Sequence, residues 1–162
     1  MSGATTGQSQ ETQASAVEIK RLISAARYAS LATADHATGR PFASLVNYAP
    51  GKDGAPVLLI SSLARHTANL QKDPAGSLLI ADPELAGSDV LTGSRVTLTG
   101  CFEQISGSAE VTLARDAFLA RHPSAAGYAG FADFGWWRLT IDEAHLVQGF
   151  GRISTLKAGQ LG

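Results

Sequence analysis

A single cysteine, Cys101, in 162 residues excludes a disulfide framework within the chain and a cysteine-rich metal cluster. No apolar stretch approaches the roughly 20 residues that a membrane-spanning helix needs. The N-terminus lacks the basic-then-apolar pattern of a secretory signal. Neither sign of charge dominates: 13 Lys and Arg stand against 14 Asp and Glu, for a formal net charge of -1. There is thus no basic surplus to draw nucleic acid and no acidic run to act as a solvating tail. The four histidines form no i, i+4 pair beside a carboxylate, so no metal site is expected. The Gly-x-Ser-x-Gly pattern of a hydrolase nucleophile turn is missing too. These absences describe a cytoplasmic protein with neither a membrane nor a nucleic-acid partner.

What is present is enough chain for one domain with a real core. Residues 1–14 are small and polar and cannot bury enough apolar surface to offset ordering, so they are expected to form a disordered arm ahead of a single domain over 15–162. Ser15 opens a helix with Glu18 three positions later, the spacing of a capping box. Ile19, Leu22, Ile23 and Ala26 then repeat at helical period. Strands are predicted at 29–33, 42–48, 57–61, 77–81 and 95–105, with breaker-rich turns at 34–41 and 50–54. Gly100 interrupts the longest strand and marks a bend or bulge. Helices are predicted at about 63–72, ended by Asp73-Pro74, and at about 109–120, ended by Arg121-His122-Pro123. Two last strands, 136–141 and 144–148, are expected to join through a tight Asp142-Glu143 turn. The short connections favour an antiparallel sheet over a doubly wound fold. Closure into a small barrel removes its edges. The fold class is therefore mainly β: a six- to seven-stranded antiparallel barrel with flanking helices.

The richest segment runs from Leu58 to Pro74, where an apolar strand meets a short helix across a turn carrying Ser61, Ser62, Arg65 and His66. The first amides of a helix lack internal partners and carry partial positive charge. A phosphate placed there gains those donors and any nearby cation. Arg65, His66 and Asn69 fall on one helix face, with Leu63, Thr67 and Leu70 on another that can pack inward. Taken alone, Arg65 and His66 also fit a solvated helix start, and the two serines fit helix caps. His66 has an ordinary pKa of about 6.5 and can sense pH. Cys101 reads as a small buried residue, His36 as a solvated turn residue and His145 as a half-buried, hydrogen-bonded strand residue. Adjacent Trp136 and Trp137 point to opposite faces of their strand.

Several motifs in this order resemble the pyridoxamine 5'-phosphate oxidase-like family of FMN-binding split β-barrels, in the branch that includes bacterial haem-utilisation proteins. They are the Gly39-Arg40-Pro41-Phe42 turn, Ala43-Ser44-Leu45, the segment from Ser61 to Asn69, and Arg95-Val-Thr-Leu-Thr-Gly100. His122-Pro123, Tyr128, Phe131, Asp133-Phe134, Arg138-Leu139 and Gly149-Phe150-Gly151-Arg152 add to the match, which covers about residues 16–153. The resemblance implies a homodimer with FMN in clefts at the subunit interface. By position, Arg65 and His66 match the family's basic pair on the FMN phosphate. Ser44, Ser61, Ser62 and Asn69 add polar contacts, and Arg95 reaches the flavin from the partner subunit. One tryptophan, Trp136 in this assignment, covers the flavin ring or an interface. Ser44 stands where the oxidases proper carry an arginine, which thins the phosphate charge.

The function so implied is that of an FMN-binding flavoprotein, an oxidoreductase acting on a small molecule, with no catalytic residue assigned because flavin carries its own redox chemistry. The alternatives are a haem-binding or haem-degrading protein and a non-catalytic FMN-binding module. Haem-utilisation members carry a further C-terminal region with an axial histidine, whereas no histidine follows His145 here. Little activity on pyridoxamine phosphate is expected, since only Lys157 is basic after Arg152.

Overall fold

The computed structural model describes residues 3–85 and 87–162. Its elements run α1 (Gly3–Ala25), β1 (Tyr28–Ala34), β2 (Pro41–Pro50), β3 (Pro56–Ser61), α2 (Arg65–Lys72), β4 (Ala75–Ala81), β5 (Ser94–Gln104), α3 (Ser108–Arg121), β6 (Phe134–Gln148) and β7 (Arg152–Lys157). The strands follow the order β3-β2-β1-β4-β5-β6-β7, and β3 also pairs with β6. Six strands thereby close an antiparallel barrel, and β7 extends it beyond the seam, as the strand patterning predicts.

Two apolar clusters hold the barrel. Inside it lie Leu31, Tyr48, Leu58, Leu78, Leu98 and Leu146, each fully buried. One end is plugged by α1 through Ile19, Leu22 and Ile23, and burying such side chains stabilises by about 1.5–3 kcal/mol each. Outside it, α3 covers the seam with Ala114 and Phe118 over Val57, Leu59 and Trp136. Because β3 meets the barrel interior on one face and α3 on the other, its residues Pro56–Ile60 are all buried, and the strand reads as a continuous apolar run.

Three local expectations are corrected. The arm expected to be disordered over 1–14 is helical from Gly3, continuous with α1, while residues 1 and 2 lie outside the described residues. Ser15 accordingly opens no helix: it is buried, and its Oγ donates to Ser154 Oγ at 3.0 Å. Glu18 pairs with Arg21, which also bonds Asp82 beyond β4. No turn occurs at Asp142-Glu143. Strand β6 runs through it, and Asp142 is the extra residue of a bulge opposite Thr99 and Gly100. The chain instead reverses at Gly149–Gly151, where both glycines take positive φ, 53° and 95°, and returns as β7. Gly100 is the small residue that the bulge requires, since a Cβ there would lie 2.0 Å from Thr140 O.

Candidate functional site

The junction between β3 and α2 forms one corner of the barrel. Thr67 and Leu70 are buried, and Thr67 Oγ1 donates to Ser61 O at 2.6 Å, which sets the angle at which α2 leaves the strand. Leu63, expected on that inward face, precedes the helix and is 85% exposed. Ser61 Oγ donates to Asp133 Oδ2 at 2.7 Å and accepts the Leu63 amide at 3.1 Å. Ser62 is exposed, and its amide donates to Asp133 O at 2.6 Å. Neither serine caps the helix: the N-cap is Ala64, without a side-chain bond. Among the described residues, the amides of Arg65 and His66 have no backbone partner, as the open start of a helix predicts.

Arg65 Nε donates to Asp35 Oδ2 at 2.7 Å, and the guanidinium lies 4.7 Å from the centre of the Phe42 ring. Asp35 sits in the β1–β2 turn and also accepts from the Thr38 amide and hydroxyl. The Arg65 bond, then those from Thr38, hold its carboxyl well below the usual carboxylate range. Among the described residues, Arg65 Nη1 and Nη2 have no hydrogen-bond partner. His66 is half-buried, with Nδ1 3.0 Å from Ser44 Oγ. Its Nε2 is shielded from solvent without a partner, and burial pushes its pKa down. Burial thus favours the neutral form of this imidazole.

Asn69 shares the helix face with Arg65, but that face packs on the β1–β2 end of the barrel. Its side chain is fully buried. Asn69 Oδ1 accepts from the His36 amide at 2.8 Å, and Nδ2 donates to Thr33 Oγ1 at 2.9 Å. Asn69 therefore ties α2 to β1.

Two further expected residues lie elsewhere. Arg95 is on β5, three strands across the sheet from Ser44 on β2, roughly 14 Å at ordinary strand spacing. One chain alone does not bring it to the corner. Trp136 is corrected from a flavin cover to a core residue: it is buried beneath α3 with its ring 5.6 Å from Phe118, edge to face. Trp137 fills the barrel interior. The pair do take opposite faces, and both faces are covered.

Sequence reasoning missed Asp35 and Asp133, which pin Arg65 and Ser61, and Phe42, which backs the guanidinium. Each lies in a motif quoted for the resemblance or in the breaker-rich turn before it, so proximity in sequence was the available signal. Beside the corner opens a cleft of about 330 Å³ lined by Leu45, Asn47, Ser61, His66, Tyr128 and Phe134. Tyr128 and Phe134 are in ring contact at 5.0 Å. Cys101, expected to be buried, is exposed on the outer face of β5, and His145, expected to be half-buried, is also exposed. Among the described residues, no three His, Cys, Asp or Glu side chains gather into a metal-sized cluster. None of the described helices is long and apolar enough to cross a membrane.

The corner offers an anion two amides and two guanidinium nitrogens, yet its charges nearly cancel. Arg65 is matched by Asp35, His66 is neutral, and Ser44 brings no charge. Shape favours a phosphate there, whereas net charge does not.

Comparison with known proteins places this arrangement. The chain is 40% identical over 112 residues to the non-canonical heme oxygenase HOZ, chloroplastic, of Arabidopsis thaliana, a match covering 68% of this chain and 33% of that protein. The structure of a heme binding protein from Mycobacterium smegmatis superposes with a TM-score of 0.83 at 34% identity, covering 90% of this chain and 59% of the other. A Clostridium acetobutylicum protein of the pyridoxinephosphate oxidase family shares the fold, with a TM-score of 0.70 at 15% identity over 93% of this chain and 99% of its own. This chain spans about a third of the plant relative's length and less than two thirds of the mycobacterial one's. The family profile described as "CREG, beta-barrel" matches residues 10–160, so all seven strands are covered, and the chain belongs to the CREG β-barrel family within the split-barrel class, alongside haem-utilisation proteins.

Proposed function

We propose that this chain binds haem and takes part in its degradation, a reading that its relatives favour over a flavin oxidoreductase. The single observation that carries it is the likeness to the mycobacterial haem-binding protein, which extends over nine-tenths of this chain. The near-zero charge of the α2 corner supports the same choice, because a phosphate dianion needs a cationic surplus that Asp35 removes. Haem, when bound, supplies iron chemistry and an intense visible band. The chain must supply an apolar platform, an iron ligand and a counter-charge for the carboxylates.

Two copies are proposed to pair through the outer face of β2, β1 and β4. Leu45 and Leu79 flank Ser30 in register there, and Leu45, Tyr28 and Leu79 are 69%, 61% and 45% exposed. A lone soluble domain rarely leaves such a group of large side chains in water. Haemin titration tests the main reading. A saturable Soret shift supports it, as does loss of that band under a reductant in air. Absence of any shift ends it. FMN binding at the α2 corner is the second reading, favoured by the unused amides and Arg65 Nη atoms. Quenching of FMN fluorescence at micromolar protein, lost in Arg65→Gln, would restore it.

A further inference from the structure

We propose that the segment from Tyr128 to Phe134 is a wall on which this protein stacks a flat conjugated ring, and that Asp133 is the residue that positions it. The inference rests on the haem reading above and gives the ring a place in the cleft beside α2. That cleft is lined by Leu45 and Asn47 from β2 and by Tyr128 and Phe134 from the end of the α3–β6 connection. The Tyr128 and Phe134 rings lie 5.0 Å apart, and Phe131 meets Phe134 edge to face at 6.5 Å. Tyr128 and Phe134 pack from behind on the cluster under α3 and are half-buried, so each keeps part of its surface open. Phe131, 58% exposed, and Leu63, 85% exposed, leave more apolar surface in water around the same turn. Ring faces beside a cleft suit a flat apolar ring better than a sugar or a phosphate. At about 330 Å³, the cleft takes a three-ring heterocycle or one edge of a porphyrin, whose remainder extends over exposed Leu45.

The wall belongs to a connection that is tied down at its two ends. At its start, His122 Nε2 lies 2.8 Å from Tyr48 O. At its end, Asp133 is bonded twice to the β3–α2 turn. Ser61 Oγ donates to Asp133 Oδ2 at 2.7 Å, and the Ser62 amide donates to Asp133 O at 2.6 Å. Ser61 also pairs with Phe134 across the seam, and Ser61 O accepts from Thr67 Oγ1 on α2 at 2.6 Å. One serine therefore holds the aromatic wall through its side chain and α2 through its carbonyl. His66 stands on that helix and lines the same cleft. The gap between the helix and the rings is set through Ser61 and Asp133. Asp133 spends its carboxylate on this tie, so it acts on a ligand through Tyr128 and Phe134 and is a positioning residue. Asparagine in its place still accepts from Ser61, whereas alanine frees that end of the wall.

Haemin, metal-free protoporphyrin IX and FMN are each titrated into the full chain. Absorption follows binding, and proton NMR is recorded with the two metal-free ligands, so the result does not depend on which group ligates iron. Protoporphyrin should shift the ring protons of Tyr128 and Phe134 upfield, the mark of a stacked face. Tyr128→Leu should weaken binding roughly fivefold, the size of one lost ring contact, and Tyr128→Phe should match wild type. Asp133→Ala should weaken binding by a similar factor and abolish the upfield shifts, and Asp133→Asn should restore both. Urea midpoints of the same variants report stability separately. Upfield shifts retained in Asp133→Ala would show that Asp133 does not position the rings. If haemin and protoporphyrin bind while the Tyr128 and Phe134 signals stay in place and Tyr128→Leu binds normally, the wall is overturned and the haem reading stands. If only FMN binds and shifts these rings, the wall stands and the haem reading fails. If none of the three binds, both fail.

Discussion

Asp35 Oδ2 accepts from Arg65 Nε at 2.7 Å, a bond that joins the β1–β2 turn to the first residue of α2 across thirty positions of sequence. The carboxylate is worth more to the folded chain than to the unfolded one, because the Arg65 and Thr38 bonds lower its pKa. A depressed carboxyl contributes stability that is complete above its unfolded pKa of about 3.9 and is lost as pH falls toward the folded value. Urea midpoints measured from pH 5 to pH 2 should therefore fall in wild type and fall less steeply in Asp35→Asn. Equal slopes would mean that Asp35 is not stabilised in the fold.

His66 gives the same sign in a higher pH window. Burial lowers its pKa, so the folded chain resists protonating it. Stability is unaffected above the unfolded value of about 6.5. It declines as pH drops from there to the folded value, because the unfolded chain takes up the proton first. Ser44→Ala removes the Ser44 Oγ partner of this ring and should cost about 0.5–1.5 kcal/mol. An NMR titration of the His66 ring protons reads its pKa directly. A value raised well above the ordinary one would show that the imidazole is charged in the fold and would favour a phosphate at the α2 corner.

The strand-to-helix corner was legible because its cues are local: an unbroken apolar run, a serine turn, and a helix stopped by Asp73-Pro74. Gly100 was legible as a bulge for the same reason. What the corner faces was not. The spacing of Arg65 and Asn69 puts them on one helix face, but only the chain reversal at residues 35–40 decides that this face meets Asp35, His36 and Thr33. Asp142-Glu143 reads as a hairpin turn because a polar pair divides two apolar runs. The distinction from a bulge lies in the partner strand, where β5 has one residue fewer. Alternation separates Trp136 from Trp137, but it carries no information about α3 arriving to cover the outer one.

That covering has a measurable consequence. Trp136 is buried against Phe118, Val57 and Leu59, so Trp136→Ala should lose about 3–5 kcal/mol, read by urea denaturation followed by circular dichroism. Trp136→Phe keeps part of the ring contact and should lose less. Haemin affinity in Trp136→Phe should stay within twofold of wild type, since the side chain lies under α3 and outside the lining of the cleft beside α2. A large change in ligand affinity with little change in stability would return Trp136 to the binding site.

Gly100 controls which way His145 points. The bulge shifts the β5–β6 register between Thr99 and Gly100, and the residues beyond Asp142 take their faces from that shift. A one-residue slip turns every later side chain of a strand to the other face, so His145 and Val147 would trade places with Ala144 and Leu146. In Gly100→Ala the new methyl meets Thr140 O at 2.0 Å. That atom is backbone and cannot rotate away. The expected loss is at least the roughly 1–3 kcal/mol of an overpacked core, with faster amide exchange in residues 140–144. Thr99→Ala, beside it on the exposed face, should change stability by no more than about 0.5 kcal/mol. If Gly100→Ala keeps wild-type stability and exchange, the bulge does not depend on glycine and the orientation of His145 is set by something else.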